Sequence, residues 1–283
     1  MVSKLVNKVA FVNSKGGCGK TTSIFHIAGV LSKDKDNKDK AKGRVLVVDL
    51  DPQCNTTDTL LMNVDKKQKP DETVLDFITG TSSAEEATVQ CLFQTRGNAN
   101  AKYFGVDCMQ GDVLLSKESL LKSIDPEKLQ KNFELFLSEQ GYSWVLIDMP
   151  PNSLTLNEIC FSYLANHVIV PFSSDIFSVL GYSKLMTTID KERANNPSLN
   201  VLGVFLARYM ANCKVDTYIR DELIKNFDTF IDIQIPLSSD LRESIFCGRP
   251  ISYYKEFSKG RIAFESLVSE IKKRINKFNK GIS

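Results

Sequence analysis

The feature that most constrains this chain is Ser14-Lys15-Gly16-Gly17-Cys18-Gly19-Lys20-Thr21-Thr22, set between two apolar stretches of different period. The stretch before it, Val9-Ala10-Phe11-Val12, has the length and boundaries of a buried strand. The stretch after it carries Ile24, Ile27, Ala28 and Leu31 at helical spacing. A glycine-rich turn that joins a strand to a helix start is a phosphate cradle. Glycines let backbone N–H groups turn inward without Cβ clashes, and the helix N-terminus adds partial positive charge. In such a loop Lys20 reaches the β- and γ-phosphates and the Thr21 hydroxyl is a Mg²⁺ ligand. The stretch is therefore read as a nucleotide site.

Composition narrows the remaining classes. The 283 residues, 42% hydrophobic and 25% charged, suit one large α/β unit with a sizeable core. No apolar run approaches the roughly 20 residues that span a bilayer. Met1-Val2-Ser3-Lys4-Leu5-Val6 runs straight toward the first strand, so no signal peptide is expected. The seven cysteines are scattered and never form CxxC, which points away from disulfides or a zinc or iron–sulfur site and toward a reducing cytoplasm. Only His26 and His167 are present, so a histidine-rich metal centre is not expected either. A net charge of +2 implies no nucleic-acid partner by itself; a basic surface would have to come from charge distribution.

Further along, residues 33–43 interleave lysine with aspartate and read as a charged surface loop. Val45-Leu46-Val47-Val48, Trp144-Val145-Leu146-Ile147 and Val168-Ile169-Val170 are uninterrupted apolar runs, as in parallel strands covered on both faces. Further strands are expected at 103–109, 201–206 and, as a possible edge, 231–235. Met62 to Asp71 reads as a polar loop. Helices are expected at 73–78 (closed by Gly80), 126–138, 181–196, 217–226 and 260–283, the last of them basic. The capping signal Ser82-Ser83-Ala84-Glu85-Glu86 predicts one more. Alternating strands and helices give a mostly parallel twisted sheet with helices on both faces, in a single domain over 1–283. Ligands of such sheets bind at the strands' carboxyl ends, where the glycine loop, Asp49, Asp51 and Asp148 all fall.

The loop departs from G-x-x-x-x-G-K-[ST], because Ser14 replaces the first glycine and Lys15 adds a second lysine. This KGGxGKT form resembles the ParA/MinD family of deviant Walker-A P-loop ATPases, whose signature residue is that extra lysine. The resemblance implies an ATP-sandwich dimer in which Lys15 contacts the phosphates held by the other subunit. Lys15, Gly16, Gly17, Cys18, Gly19, Lys20, Thr21 and Thr22 would bind ATP, and Lys15 and Lys20 would also act catalytically. Asp49-Leu50-Asp51-Pro52-Gln53-Cys54-Asn55-Thr56-Thr57 resembles the family's D-x-D-P-Q-G-N-A-T switch, with Cys54 in place of glycine. By that match Asp51 positions the attacking water and Asp49 lies near the metal. Ile147-Asp148-Met149-Pro150-Pro151 resembles the Walker-B segment, so Thr21, Asp49, Asp51 and Asp148 form the expected Mg²⁺ set. Pro171 through Asp175 and Gly181 is similar to P-x-x-x-E…L-E-G, with Asp175 for glutamate. Pro236 through Gly248-Arg249-Pro250-Ile251 keeps the spacing of a segment near the adenine, which adds Pro236 to the ATP set.

The D-P-Q-x-N form is that of ParA and Soj partition ATPases. It implies a cytoplasmic, nucleoid-associated protein that dimerises on ATP, binds DNA non-specifically and hydrolyses ATP slowly until a ParB-like centromere-binding partner stimulates it. Asp240 and Asn212 stand where relatives often carry DNA-contacting arginines. Lys214, Arg208, Arg220, Lys255, Lys259, Arg261, Lys272, Lys273 and Arg274 are the replacement candidates. Two alternatives keep the ATPase and change its cargo, to a protein assembly or to a membrane. The basic C-terminal stretch with Leu267, Ile271 and Ile275 suits a membrane helix, but its periodicity suits the core face of a packed helix better, so a membrane is not the expected partner.

Overall fold

The computed structural model describes residues 5–33, 44–95, 98–122, 124–173 and 176–281. Most of the expected charged loop and Asp175 lie outside them. In chain order the elements are β1 (Asn7–Phe11), α1 (Lys20–Leu31), β2 (Arg44–Asp49), α2 (Asn55–Leu60), α3 (Val74–Thr79), β3 (Thr88–Thr95), β4 (Asn98–Met109) and α4 (Glu118–Leu121). Then come α5 (Pro126–Gln140), β5 (Tyr142–Asp148), α6 (Leu154–Ile159), β6 (His167–Phe172), α7 (Ile176–Glu192) and β7 (Asn200–Tyr209). The chain continues through α8 (Lys214–Asn226), β8 (Phe230–Pro236), α9 (Ser239–Phe246), α10 (Ile251–Tyr254) and α11 (Lys259–Asn279).

The eight strands form one sheet in the order β3-β4-β2-β5-β1-β6-β7-β8. Every neighbouring pair is parallel except β3 with β4. The expected mostly parallel sheet covered on both faces is what forms. Side chains alternate across a strand, so a strand covered twice needs apolar residues at every position. In β1, Ala10 joins the core under α3 to α8, whereas Val9 and Phe11 join the core under α1, α10 and α11. In β5, Val145 and Ile147 face the first layer and Trp144 and Leu146 the second.

One detail departs from expectation and another follows it. Ser83 and Glu86 do make reciprocal capping bonds, Ser83 N to Glu86 Oε2 at 2.9 Å and Glu86 N to Ser83 Oγ at 3.2 Å. Only a turn follows, because Val89, Cys91 and Phe93 alternate into the core and pull the chain into β3. The α11 stripe Phe264, Leu267, Val268, Ile271 and Ile275 is buried in the core, the packed-helix outcome. Among the described residues no helix is long and apolar enough to cross a membrane.

Candidate active site

Residues from five strand ends meet at one carboxyl edge. The loop after β1 needs left-handed backbone at Gly17 (φ 75°) and Gly19 (φ 94°), the latter capping α1, so glycine is required at both. Asn13 fastens this loop: its side chain donates to the Pro171 carbonyl (2.8 Å) and accepts from Lys15 N (2.9 Å). Lys20 is buried and its Nζ lies 3.4 Å from the Asn13 and Lys15 carbonyls. Cys18 is buried beneath the loop, and burial pushes its thiol pKa up. Lys15 is exposed.

The loop opens onto a cleft of about 550 Å³. Gly16, Gly17, Gly19, Lys20, Thr21 and Thr22 line one end and Asp51, Gln53 and Asn55 a side. Ala207, Arg208, Pro236, Leu241, Arg242 and Ile245 complete it. Of the expected site residues, Gly16, Gly17, Gly19 to Thr22, Asp51 and Pro236 therefore share one cavity. Lys15, Cys18, Asp49 and Asp148 are not among its lining residues.

Asp49 and Asp148 are register partners on β2 and β5, and both are fully buried. Asp148 Oδ2 accepts from Thr21 Oγ1 (2.7 Å) and Thr56 Oγ1 (2.5 Å), while its Oδ1 has no hydrogen-bond partner among the described residues. Both Asp49 oxygens are engaged: Oδ2 by Thr57 N (2.8 Å) and Thr57 Oγ1 (2.7 Å), Oδ1 by Asp51 N (3.2 Å). These contacts fasten the switch turn to the sheet through Asp49. Burial holds both carboxyls above the ordinary range, and the charge of Asp148 adds to the rise at Asp49. The buried Asp148 Oδ1 and the Thr21 hydroxyl beside Asp148 are oxygen donors at the foot of the phosphate loop. All-oxygen donors of this kind fit a hard divalent cation.

Cys54, which caps α2, has φ 52°. A left-handed non-glycine residue costs roughly 1–2 kcal/mol, which is the physical reason glycine suits this position. Its thiol is pushed up to about 12, first by burial and then by Asp49.

The sequence reading missed Asn13, the Thr56 and Thr57 pins, and the Leu241, Arg242 and Ile245 wall of the cleft. Thr56 and Thr57 stood in the quoted switch, but nothing local shows which carboxylate each hydroxyl meets. Arg208, read as a DNA candidate, donates to the Gly17 carbonyl at 3.1 Å.

Fold and site together define a P-loop nucleotide-binding α/β protein. Residues 6–201 match the family model AAA_31, described as an AAA domain, and the chain belongs to that family. The resemblance to ParA and Soj proteins holds over nearly the whole chain. The chromosome partitioning protein ParA of Caulobacter vibrioides is 28% identical, the match covering 93% of this chain and 92% of that protein. The chromosome-partitioning ATPase Soj of Thermus thermophilus is 27% identical, covering 97% and 99%. Among solved structures, cobyrinic acid a,c-diamide synthase of Mycobacterium smegmatis with bound ADP and magnesium superposes with a TM-score of 0.72. It is 22% identical, covering 98% of this chain and 97% of that one, a likeness of fold alone. Its name shows that this fold also serves other chemistry, so function has to be argued from the site.

Proposed function

We propose that this chain is an ATP-dependent partition ATPase that forms ATP-sandwich dimers, binds DNA non-specifically on the nucleoid and hydrolyses ATP when a ParB-like partner stimulates it. The observation that carries the reading is that the phosphate loop, Thr21 and Asp51 line one cleft, with Thr21 hydrogen-bonded to Asp148 and Lys15 exposed outside that lining. A lysine that completes a second subunit's site has to be exposed and outside the lining of its own cleft, and Lys15 meets both conditions. Thr21 and Asp148 would hold Mg²⁺, which supplies charge neutralisation to the phosphates when bound. Lys20 neutralises phosphate charge from the buried side of the loop, and Asp51 orients the attacking water from the cleft wall. Asp49 keeps the switch in register with Asp148. Pro236, Leu241 and Ile245 give the base an apolar wall.

For DNA, the charges are unequal. Arg274 donates to the carbonyls of Leu202 (2.7 Å), Thr229 (2.8 Å) and Phe230 (3.0 Å), which makes it a packing anchor. Arg220, Lys255, Arg261 and Lys273 are paired with Asp232, Asp240, Glu265 and Glu270. Among the described residues Lys214 and Lys259 are exposed and make no ion pair, and they are the proposed phosphate contacts. The test is an electrophoretic mobility shift on non-specific DNA across a salt series, with wild type and Lys20→Ala. Binding that requires ATP, weakens steeply with salt and is absent in Lys20→Ala is expected. Binding to anionic vesicles and not to DNA would overturn the DNA assignment.

A further inference from the structure

Among the described residues three non-glycine ones have left-handed backbone, Cys54, Asn152 and Arg208, and all three border the cleft. Cys54 lies between the lining residues Gln53 and Asn55, and Asn152 follows the lining residue Pro151. Strained backbone of this kind gathers where a fold holds functional groups in place. The first is explained by the switch turn. The third, Arg208 at φ 59°, is explained by nothing above.

Arg208 sits where the pairing of β7 with β8 loses register, between Leu206 and Tyr209. An irregularity of this kind re-aims a side chain that a regular strand would send elsewhere. Here the result is specific. Ala207 packs so closely on the phosphate loop that a Cβ at Gly19 would lie 3.1 Å from its own. The Arg208 guanidinium reaches the loop itself and donates from one terminal nitrogen to the Gly17 carbonyl at 3.1 Å. A guanidinium has five donors in a rigid fork, and this contact uses one. Arg208 is also exposed and lines the cleft, so its charge faces the space the loop encloses.

We infer that Arg208 is a nucleotide-binding residue, supplied by the irregular end of β7, whose guanidinium contacts the phosphates of the nucleotide in its own subunit. The inference rests on the reading of this cleft as a nucleotide site. The Gly17 carbonyl holds one arm of the fork, so the side chain is pre-positioned before ligand arrives and little rotamer entropy remains to be lost. The strained φ is what holds the arm over the loop instead of along the strand. A lysine at 208 keeps the charge but has no fork with which to hold the carbonyl and a phosphate together.

The test is calorimetric titration of Mg·ADP and of a slowly hydrolysed Mg·ATP analogue into wild type, Arg208→Ala, Arg208→Gly, Arg208→Lys and Lys20→Ala. Thermal melting of each ligand-free protein shows which variants are folded. Arg208→Ala and Arg208→Gly are expected to bind both nucleotides about tenfold more weakly, the size of one charge-assisted hydrogen bond. Arg208→Lys should recover part of the loss. Glycine removes the backbone strain along with the side chain, so equal losses in the alanine and glycine variants assign the effect to the guanidinium. Wild-type affinity in Arg208→Gly, or losses under about twofold in both variants while Lys20→Ala fails to bind, would overturn the assignment. Undiminished binding by Lys20→Ala would overturn the reading of the cleft itself, a separate result.

Discussion

Asp148 accepts the Thr21 hydroxyl at 2.7 Å through one carboxylate oxygen and leaves the other, fully buried, without a partner among the described residues. A buried acceptor with no donor is costly, and a buried charge more so, unless a cation completes it. Asp148→Asn keeps the shape and can still accept from Thr21 while removing the charge. In wild type, chelating Mg²⁺ should weaken ADP binding by about tenfold or more. In Asp148→Asn, affinity with and without Mg²⁺ should be nearly equal. The check is a four-way comparison of dissociation constants. A full Mg²⁺ effect in the variant would place the cation elsewhere.

Asp51 differs from Asp49 in having a carboxylate on the cleft. One of its oxygens accepts from Gln53 N at 3.0 Å, which holds the switch turn, and the side chain lines the cavity. Asp51→Ala should leave nucleotide affinity within about threefold and reduce turnover by about 10²-fold or more, as loss of a water-positioning or proton-accepting group does. Phosphate release under saturating ATP is the measurement. Normal turnover would mean another group serves the water.

What the sequence made legible follows from the range of the interaction involved. β1, β2, β5 and β6 were readable because a strand covered on both faces must be apolar at each position. α1 and α11 were readable because one face repeats at helical period. The glycine loop was readable because φ at Gly17 and Gly19 excludes most side chains. β3 was hidden behind the Ser83–Glu86 box, which is real but governs only one turn. The pins Thr57 to Asp49 and Thr56 to Asp148 depend on β2 and β5 lying side by side. Arg208 depends on a loss of register between β7 and β8, which no local pattern announces.

Gly29 offers a test of how the phosphate-loop helix is seated. A Cβ there would come 2.2 Å from Pro250 Cβ, and the Gly29 carbonyl accepts from Ser252 Oγ at 2.8 Å. Gly29→Ala gains about 1 kcal/mol of helix propensity. Overpacking typically costs 1–3 kcal/mol and here meets a rigid ring close to backbone. The substitution should therefore destabilise by about 1–2 kcal/mol net, and Pro250→Gly in the same chain should remove part of the added penalty. Urea denaturation of the four proteins measures the coupling. A stabilised Gly29→Ala would show that α1 and the Pro250 turn separate readily.

The same seam contains His26, fully buried, whose Nδ1 accepts from Ile251 N at 3.1 Å. Burial lowers its pKa from 6.5 to about 3, because the charged ring has no solvent and no counter-ion. The folded protein thus holds His26 neutral where the unfolded chain would protonate it. Its contribution is fully present above pH 6.5 and is lost as pH falls from there toward 3. Between pH 6.5 and 5 that loss is about 2 kcal/mol for this one group. His167, lowered to about 4 by burial and by Lys8, acts in the same direction. His26→Asn keeps an acceptor for Ile251 N and cannot titrate in this range, so its stability should fall less steeply with acid than that of wild type. Urea midpoints from pH 7 to 5 give both slopes, after subtraction of the offset caused by the smaller side chain. Parallel slopes would mean that His26 reaches a proton in the folded state, and that the contact between α1 and the Ile251 turn opens as the pH falls.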